Sequence, residues 1–219
     1  IAKTLIFSDG DAASYGQNAF FYDAAEGEVL VDGVNVREMN QALLRSKIGY
    51  VPQKAILFTG TIRDNIRYGK EDATDEEIKH ALDIAQATDF VSKMPDGLES
   101  PIAQGGTNVS GGQKQRLSIA RAIVRKPEIY LFDDSFSALD YKTDATLRAE
   151  LKEKTAESTV MIVAQRISTI LHADQIIVLD EGNIVGKGTH EELMKNCSAY
   201  QEIARSQLSE SELKGGMAE

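Results

Sequence analysis

Three apolar runs punctuate the second half of the chain: "IYLF" (129–132), "TVMIVA" (159–164) and "QIIVL" (175–179). Each is apolar on both faces, the pattern of interior strands in a parallel sheet. The helical stretch "DATLRAELKEK" between the first two supplies a crossover. Upstream, "GEVLVDGVNV" (27–36) turns at Asp32-Gly33, which predicts a tight hairpin, and "KIGYVPQ" (47–53) predicts a strand stopped by Pro52.

From about residue 54 to 126 the period becomes helical. In "ATDEEIKHALDIAQ", Thr74 and Glu77 have capping-box spacing, and Ile78, Ala81, Leu82 and Ala85 share one face. Pro95 and Gly97 break that pattern. A second helix follows Ser110, buries Leu117, Ala120, Ile123 and Val124, and stops before Pro127. "DEGNIVGKG" predicts a far hairpin, "HEELMKNCSAYQEIARSQL" an amphipathic helix, and Ser209 to Glu219 a polar, frayed tail. The pattern is that of an α/β sheet domain with an inserted helical lobe.

Composition narrows the classes. The chain has 219 residues, 42% of them hydrophobic, enough for one sizeable core or one domain with a lobe attached. A net charge of −10 argues against a nucleic-acid partner. Cys197 is the only cysteine, so an internal disulfide is excluded. No apolar run approaches the roughly 20 residues of a membrane span, and no signal peptide is read at the start. A soluble, cytoplasmic piece able to dock on a membrane component is expected.

The candidate chemistry lies in two places. "NVSGGQKQRLSIARA" (108–122) opens a helix with Ser110, Gly111, Gly112 and Gln113, a capped glycine-rich tip whose free N–H groups and dipole favour phosphate. No GxxxxGK[ST] loop accompanies it in the sequence. "IYLFDDSFSALD" (129–140) sets Asp133 and Asp134 at the end of a buried strand, where open α/β sheets bind ligands. Strand alternation would point the two carboxylates to opposite sides, one to hold Mg²⁺ and the other to orient a water. Taken alone, the pair also suits a turn and cap before Ser135.

Together "YVPQ", "SGGQKQRLSIARAI", "IYLFDDSFSALD" and "VLDEGNIVGKGTHEEL" resemble the nucleotide-binding domain of exporter-type ATP-binding cassette (ABC) transporters, over roughly Phe21 to Arg205. The resemblance implies a P-loop NTPase-like mixed sheet with an inserted helical subdomain. Its expected divisions are a core in two parts (21–53 and 127–208), a helical signature subdomain (54–126) and a polar tail (209–219). It implies ATP and Mg²⁺ as ligands and ATP hydrolysis as the activity.

The implied roles map onto named residues. Gln53 would contact Mg²⁺ and the attacking water, and Asp133 would support Mg²⁺. Ser110, Gly111, Gly112 and Gln113 would form the signature motif facing nucleotide on a second domain. Ser137, Ala138, Leu139 and Asp140 would form the loop that communicates across the dimer. "ILFTGTIRDNI" (56–66) would receive the transmembrane domain. The implied partners are therefore a second nucleotide-binding domain and a transmembrane domain, with no nucleic acid and no membrane span in this chain. The implied location is the inner face of the cell membrane.

Three departures qualify the resemblance. Asp134 stands where the family has a catalytic glutamate, about 1.5 Å shorter in reach. Gln165 stands where the family has a switch histidine, and it cannot carry charge or shuttle a proton. The phosphate-loop window near 5–13 reads "LIFSDGDAA", with Asp11 and Ala12 at the lysine and Ser/Thr positions, so residues 1–20 read as an aberrant or truncated segment. The Asp134 and Gln165 departures predict one half of a heterodimer with unequal sites. An ATP-blind remnant or interaction module, and a soluble ABC ATPase acting on nucleic acid or ribosomes, stay open as alternatives.

His80, His172 and His190 have no metal-ligand spacing and read as structural or solvated. Tyr22 and Tyr50 read as packing residues. Gln104 stands where exporters often carry glutamate, which weakens a contact to the membrane domain.

Overall fold

A computed structural model describes residues 27–208. The 5–13 window, Tyr22 and the tail from Ser209 lie outside those residues. The chain enters through a hairpin of β1 (Leu30–Val31) and β2 (Val34–Asn35), with Asp32 and Gly33 both at positive φ, 52° and 78°. Glycine and aspartate tolerate that conformation, which matches the twist of paired strands. A short helix α1 (Gln41–Ser46), capped by Asn40, leads into β3 (Ile48–Val51).

The central sheet is parallel and three-stranded among the described residues. Strand β6 (Ile129–Asp133) lies in the middle, flanked by β3 and by β7 (Thr159–Val163). The helix α6 (Tyr141–Lys154) makes the crossover from β6 to β7, with Leu147 and Leu151 buried. Only two of the three double-sided apolar runs join this sheet. The third is β8 (Ile176–Asp180), which pairs antiparallel with β9 (Asn183–Gly188) as a separate ribbon. Its burial has another source, a second core of Ile176, Val178, Leu193, Tyr200 and Ala204.

Between β3 and β6 the chain builds its helices. These are α2 (Ile62–Arg67), α3 (Asp75–Ile84), α4 (Thr88–Ser92) and α5 (Gly111–Ile123). Ile78, Ala81, Leu82 and Ala85 are all buried, as the 3.6-residue period predicts. Two strands of two residues each, β4 (Gly60–Thr61) and β5 (Pro101–Ile102), pair antiparallel in the same stretch and were not foreshadowed by the helical pattern. One continuous apolar cluster joins Ile66, Ile78, Leu117 and Ile119 to Phe132 and Val51 of the sheet.

The C-terminal stretch forms two helices rather than the single one expected, α7 (His190–Asn196) and α8 (Ser198–Gln207). Cys197 between them is extended, at φ −124° and ψ 105°, and its buried side chain turns inward beside Leu193. Among the described residues no helix is long and apolar enough to cross a membrane.

Candidate functional site

The parallel strands β3 and β6 bring their C-terminal ends together, and the acidic pair sits at that edge. Asp133 is the last residue of β6 and only 1% exposed. Its Oδ2 accepts the hydroxyl hydrogen bond of Tyr50, from β3, at 3.2 Å. Asp134 lies one residue past the strand with φ at 42°, so simple alternation does not describe the pair. Its amide N–H still donates to Val163 of β7 at 2.9 Å, while its Oδ2 accepts from Gln53 Nε2 at 3.2 Å. Next along the chain, Ser135 Oγ donates to the carbonyl of Val51 at 2.8 Å. The Asp133–Ser135 run is thus tied to the exits of both neighbouring strands. Ser135 is more than the end of a turn, and Tyr50 more than packing.

Gln53 is held near the acids by its backbone neighbour as well. The buried Gln115 of α5 donates through Nε2 to the carbonyl of Pro52 at 3.1 Å. This bond connects the strand exit to the helical segment, and nothing in the local pattern marks Gln115 for it. Gln165 lies beyond β7 and is exposed, and its carbonyl accepts from Gln207 Nε2 at 2.9 Å. Among the described residues, the structure does not hydrogen-bond the Gln165 side chain to Asp134 or Gln53.

The helix tip forms as its sequence predicts. Ser110 is the N-cap of α5: its Oγ accepts from the Gln113 amide at 3.2 Å, and Gln113 Oε1 accepts from the Ser110 amide at 2.9 Å. Ser110 and Gly111 are exposed. Gly112 approaches the 137–140 loop so closely that a Cβ there would stand 3.3 Å from the Ala138 carbonyl oxygen. In that loop Leu139 is buried, and Asp140 caps α6 by accepting from the Thr143 amide at 3.0 Å. That backbone bond holds the Asp140 carboxyl below its ordinary pKa.

The 56–66 segment is apolar outside and polar beneath. Ile56, Phe58 and the nearby Tyr68 are 57%, 43% and 63% exposed, forming one apolar patch, and the Phe58 and Tyr68 rings lie 4.5 Å apart. Arg121 of α5 lies 5.3 Å from the Phe58 ring centre and donates to the carbonyls of Ile56 and Asn65. Burial lowers the Arg121 pKa from its ordinary value.

Mg²⁺ needs one or two carboxylates together with phosphate oxygens rather than an all-protein cage. A buried aspartate beside an amide at a strand exit fits that requirement. Among the described residues no cluster of three or more His, Cys, Asp or Glu offers a separate metal site. His190 is committed instead to Tyr200, with Nδ1 and the hydroxyl 2.8 Å apart, and burial lowers its pKa.

A parallel sheet ending in paired acids, with inserted helices carrying a capped glycine-rich tip, defines a P-loop NTPase-like fold of the ABC ATPase type. The chain belongs to the ABC transporter family, whose profile, described as "ABC transporter", matches residues 19–137. It is 52% identical over 189 residues to an ABC transporter ATP-binding protein of Mycobacterium tuberculosis, covering 85% of this chain and 32% of that protein. It is 42% identical over 183 residues to a putative multidrug export ATP-binding/permease protein of Staphylococcus aureus, covering 84% and 32%. The fold superposes on a bacterial Atm1-family ABC exporter with ATP bound at a TM-score of 0.91 and 34% identity, covering 95% of this chain and 37% of that one. The chain spans about a third of the length of these relatives.

Proposed function

We propose that this chain is the ATP-binding module of an exporter, and that it supplies the Ser110–Gln113 helix tip to ATP and Mg²⁺ held on a second nucleotide-binding domain. The observation that carries this reading is the exposure of Ser110 and Gly111 at the N-terminus of a 13-residue helix. The Ser110 amide is taken by Gln113 Oε1, so the reading rests on the Gly111 and Gly112 amides of the first turn, where the positive end of the helix dipole favours phosphate. Gly112, against Ala138, sets the tip beside Ser137–Asp140, so both segments reach one partner surface.

On this chain's own side the chemistry is weak. Asp133 supports Mg²⁺, and Gln53, with its Nε2 spent on Asp134, offers its amide oxygen to the cation or to water. The ion neutralises charge on the phosphates when it is bound. Asp134 has a shorter reach than glutamate and is already engaged by Gln53, which makes it a poor general base. Gln165 can donate a hydrogen bond to a phosphate and nothing more. The working site of a heterodimer is then the one that this chain's helix tip completes. The exposed patch at Ile56, Phe58 and Tyr68 docks the transmembrane domain, which places the chain on the inner face of the membrane.

ATP turnover by the assembled transporter tests the assignment. Ser110→Arg, which fills the phosphate position, should abolish turnover, whereas Asp134→Asn should change it less than about twofold. The reverse pattern removes the assignment.

A further inference from the structure

Helix α8 ends on Gln207, and its side-chain amide reaches the loop after β7. Nε2 donates to the carbonyl of Gln165 at 2.9 Å, and Oε1 accepts from the amide N–H of Ile167 at 2.9 Å. A carbonyl can only accept and a backbone N–H can only donate, so both partners fix the same orientation of the amide. The helix behind it is anchored: Tyr200, Ala204 and Leu208 are buried with Ile167 and Ile170 in the second core.

The two bonds bracket Arg166. Its Nη2 donates to the carbonyl of Ser137 at 3.1 Å, the first residue of the Ser137–Asp140 loop. From the other side, Arg148 of α6 donates to the carbonyl of Ser168 at 3.1 Å while its fork engages the buried Asp144 at 2.9 and 3.2 Å. Gln165, Ile167 and Ser168 are therefore held by their backbones, and the side chain of Arg166 between them reaches Ser137.

We propose that Gln207 is a positioning residue: its amide clamps the backbone on both sides of Arg166, so that Arg166 braces Ser137 and sets the partner-facing loop. This rests on the reading that Ser137–Asp140 and Ser110 meet a second domain. The C-terminal helix thereby becomes part of the support for that surface, although it lies outside the residues matched by the family profile.

Gln207→Ala, Arg166→Ala and the double variant, each in the assembled transporter, test it. In Gln207→Ala the Ile167 amide should exchange on the order of tenfold faster, while exchange within β6 and β7 stays unchanged. ATP turnover should fall about tenfold in kcat with KM for ATP unchanged, because the loop is displaced without loss of a nucleotide contact. Arg166→Ala should cost about the same, and the double variant no more than either. Unchanged exchange at Ile167 overturns the clamp. Losses that multiply in the double variant, or a general loss of protection across the sheet, overturn it too. If Ser110→Arg leaves turnover intact, the partner-facing reading fails instead, and exchange at Ile167 still decides whether Gln207 holds the loop.

Discussion

Gln53 Nε2 donates to Asp134 Oδ2 across 3.2 Å, so an amide leaving one strand meets a carboxylate leaving its neighbour. Replacing the amide by a second carboxylate sets two negative groups at that distance. Their repulsion raises the pKa of one of them in the folded chain. The penalty is present at neutral pH, and it fades as the pH falls through that raised value, because the folded chain then holds the extra proton. Gln53 is exposed, which screens the effect to about 1 kcal/mol. Gln53→Glu should melt about 2–4 °C below the parent chain at pH 7.5 and close to it only at about pH 4, measured by thermal denaturation of both chains at each pH.

Ser110 has one duty in the fold and a second one proposed above, and a substitution can separate them. Its hydroxyl caps α5, and loss of such a cap costs about 1 kcal/mol. Aspartate caps equally well, so Ser110→Asp should melt within about 2 °C of the parent while Ser110→Ala melts about 2–4 °C lower. Aspartate also places a negative charge where a triphosphate would approach. At ~4 Å and an effective dielectric of 20 that repulsion is about 4 kcal/mol, so ATP turnover in the assembled transporter should fall on the order of a hundredfold or more. A stable, fully active Ser110→Asp variant would remove the helix tip from the nucleotide.

What the sequence made legible was local. The capping boxes at Thr74 and Ser110 need only residues three apart, and the Asp32-Gly33 turn only two neighbours; all three are present in the fold. The parallel sheet was readable because Leu131 and Phe132 are buried on both faces. Pairing partners were not. The run at 176–180 looks like the others but meets an antiparallel neighbour, since burial comes equally from a helix pair packed on a ribbon. Tyr50 reaches Asp133 because its register partner, Leu131, lies two residues before the acid on the same strand face. Asp134 escaped the alternation rule because the strand ends one residue earlier. Gln207 meets Gln165 across 42 positions, and no spacing rule spans that distance.

Acid sensitivity should come from the helix starts. Backbone N–H groups of Thr61 and Thr189 hold the Asp64 and Glu192 carboxyls below their ordinary pKa values, and Lys70 followed by the Thr74 N–H does the same for Glu77. A carboxyl depressed in the folded state contributes stability that is complete above its unfolded value and is lost as the pH falls through the folded one. Stability should therefore hold from pH 7 to about pH 5 and fall below about pH 4, tracked by circular dichroism. Glu77→Gln removes the titrating group, so it should lower stability at pH 7 and flatten part of that acid loss.

Asn65 is fully buried beneath the exposed patch and serves four groups at once. Its Oδ1 accepts from the Phe58 amide at 2.9 Å and from Arg121 Nη2 at 3.1 Å, and its Nδ2 donates to the carbonyls of Phe58 at 2.8 Å and Thr61 at 3.0 Å. That hidden amide holds the backbone of Phe58 at both its N–H and its carbonyl, while Arg121 holds the carbonyl of Ile56. Asn65→Ala leaves buried polar groups without partners, at about 3 kcal/mol in all, and should lower the melting temperature by roughly 6–12 °C. Asn65→Asp keeps both accepted bonds but turns an oxygen toward two carbonyls. It should be nearly as damaging at pH 7.5 and regain part of the loss at pH 5, where a protonated acid supplies one donor again. In both variants the Phe58 amide should lose protection from exchange before the sheet does. Copurification with the transmembrane segments should weaken in step with that loss, and not with the change in melting temperature, if the patch is the docking surface.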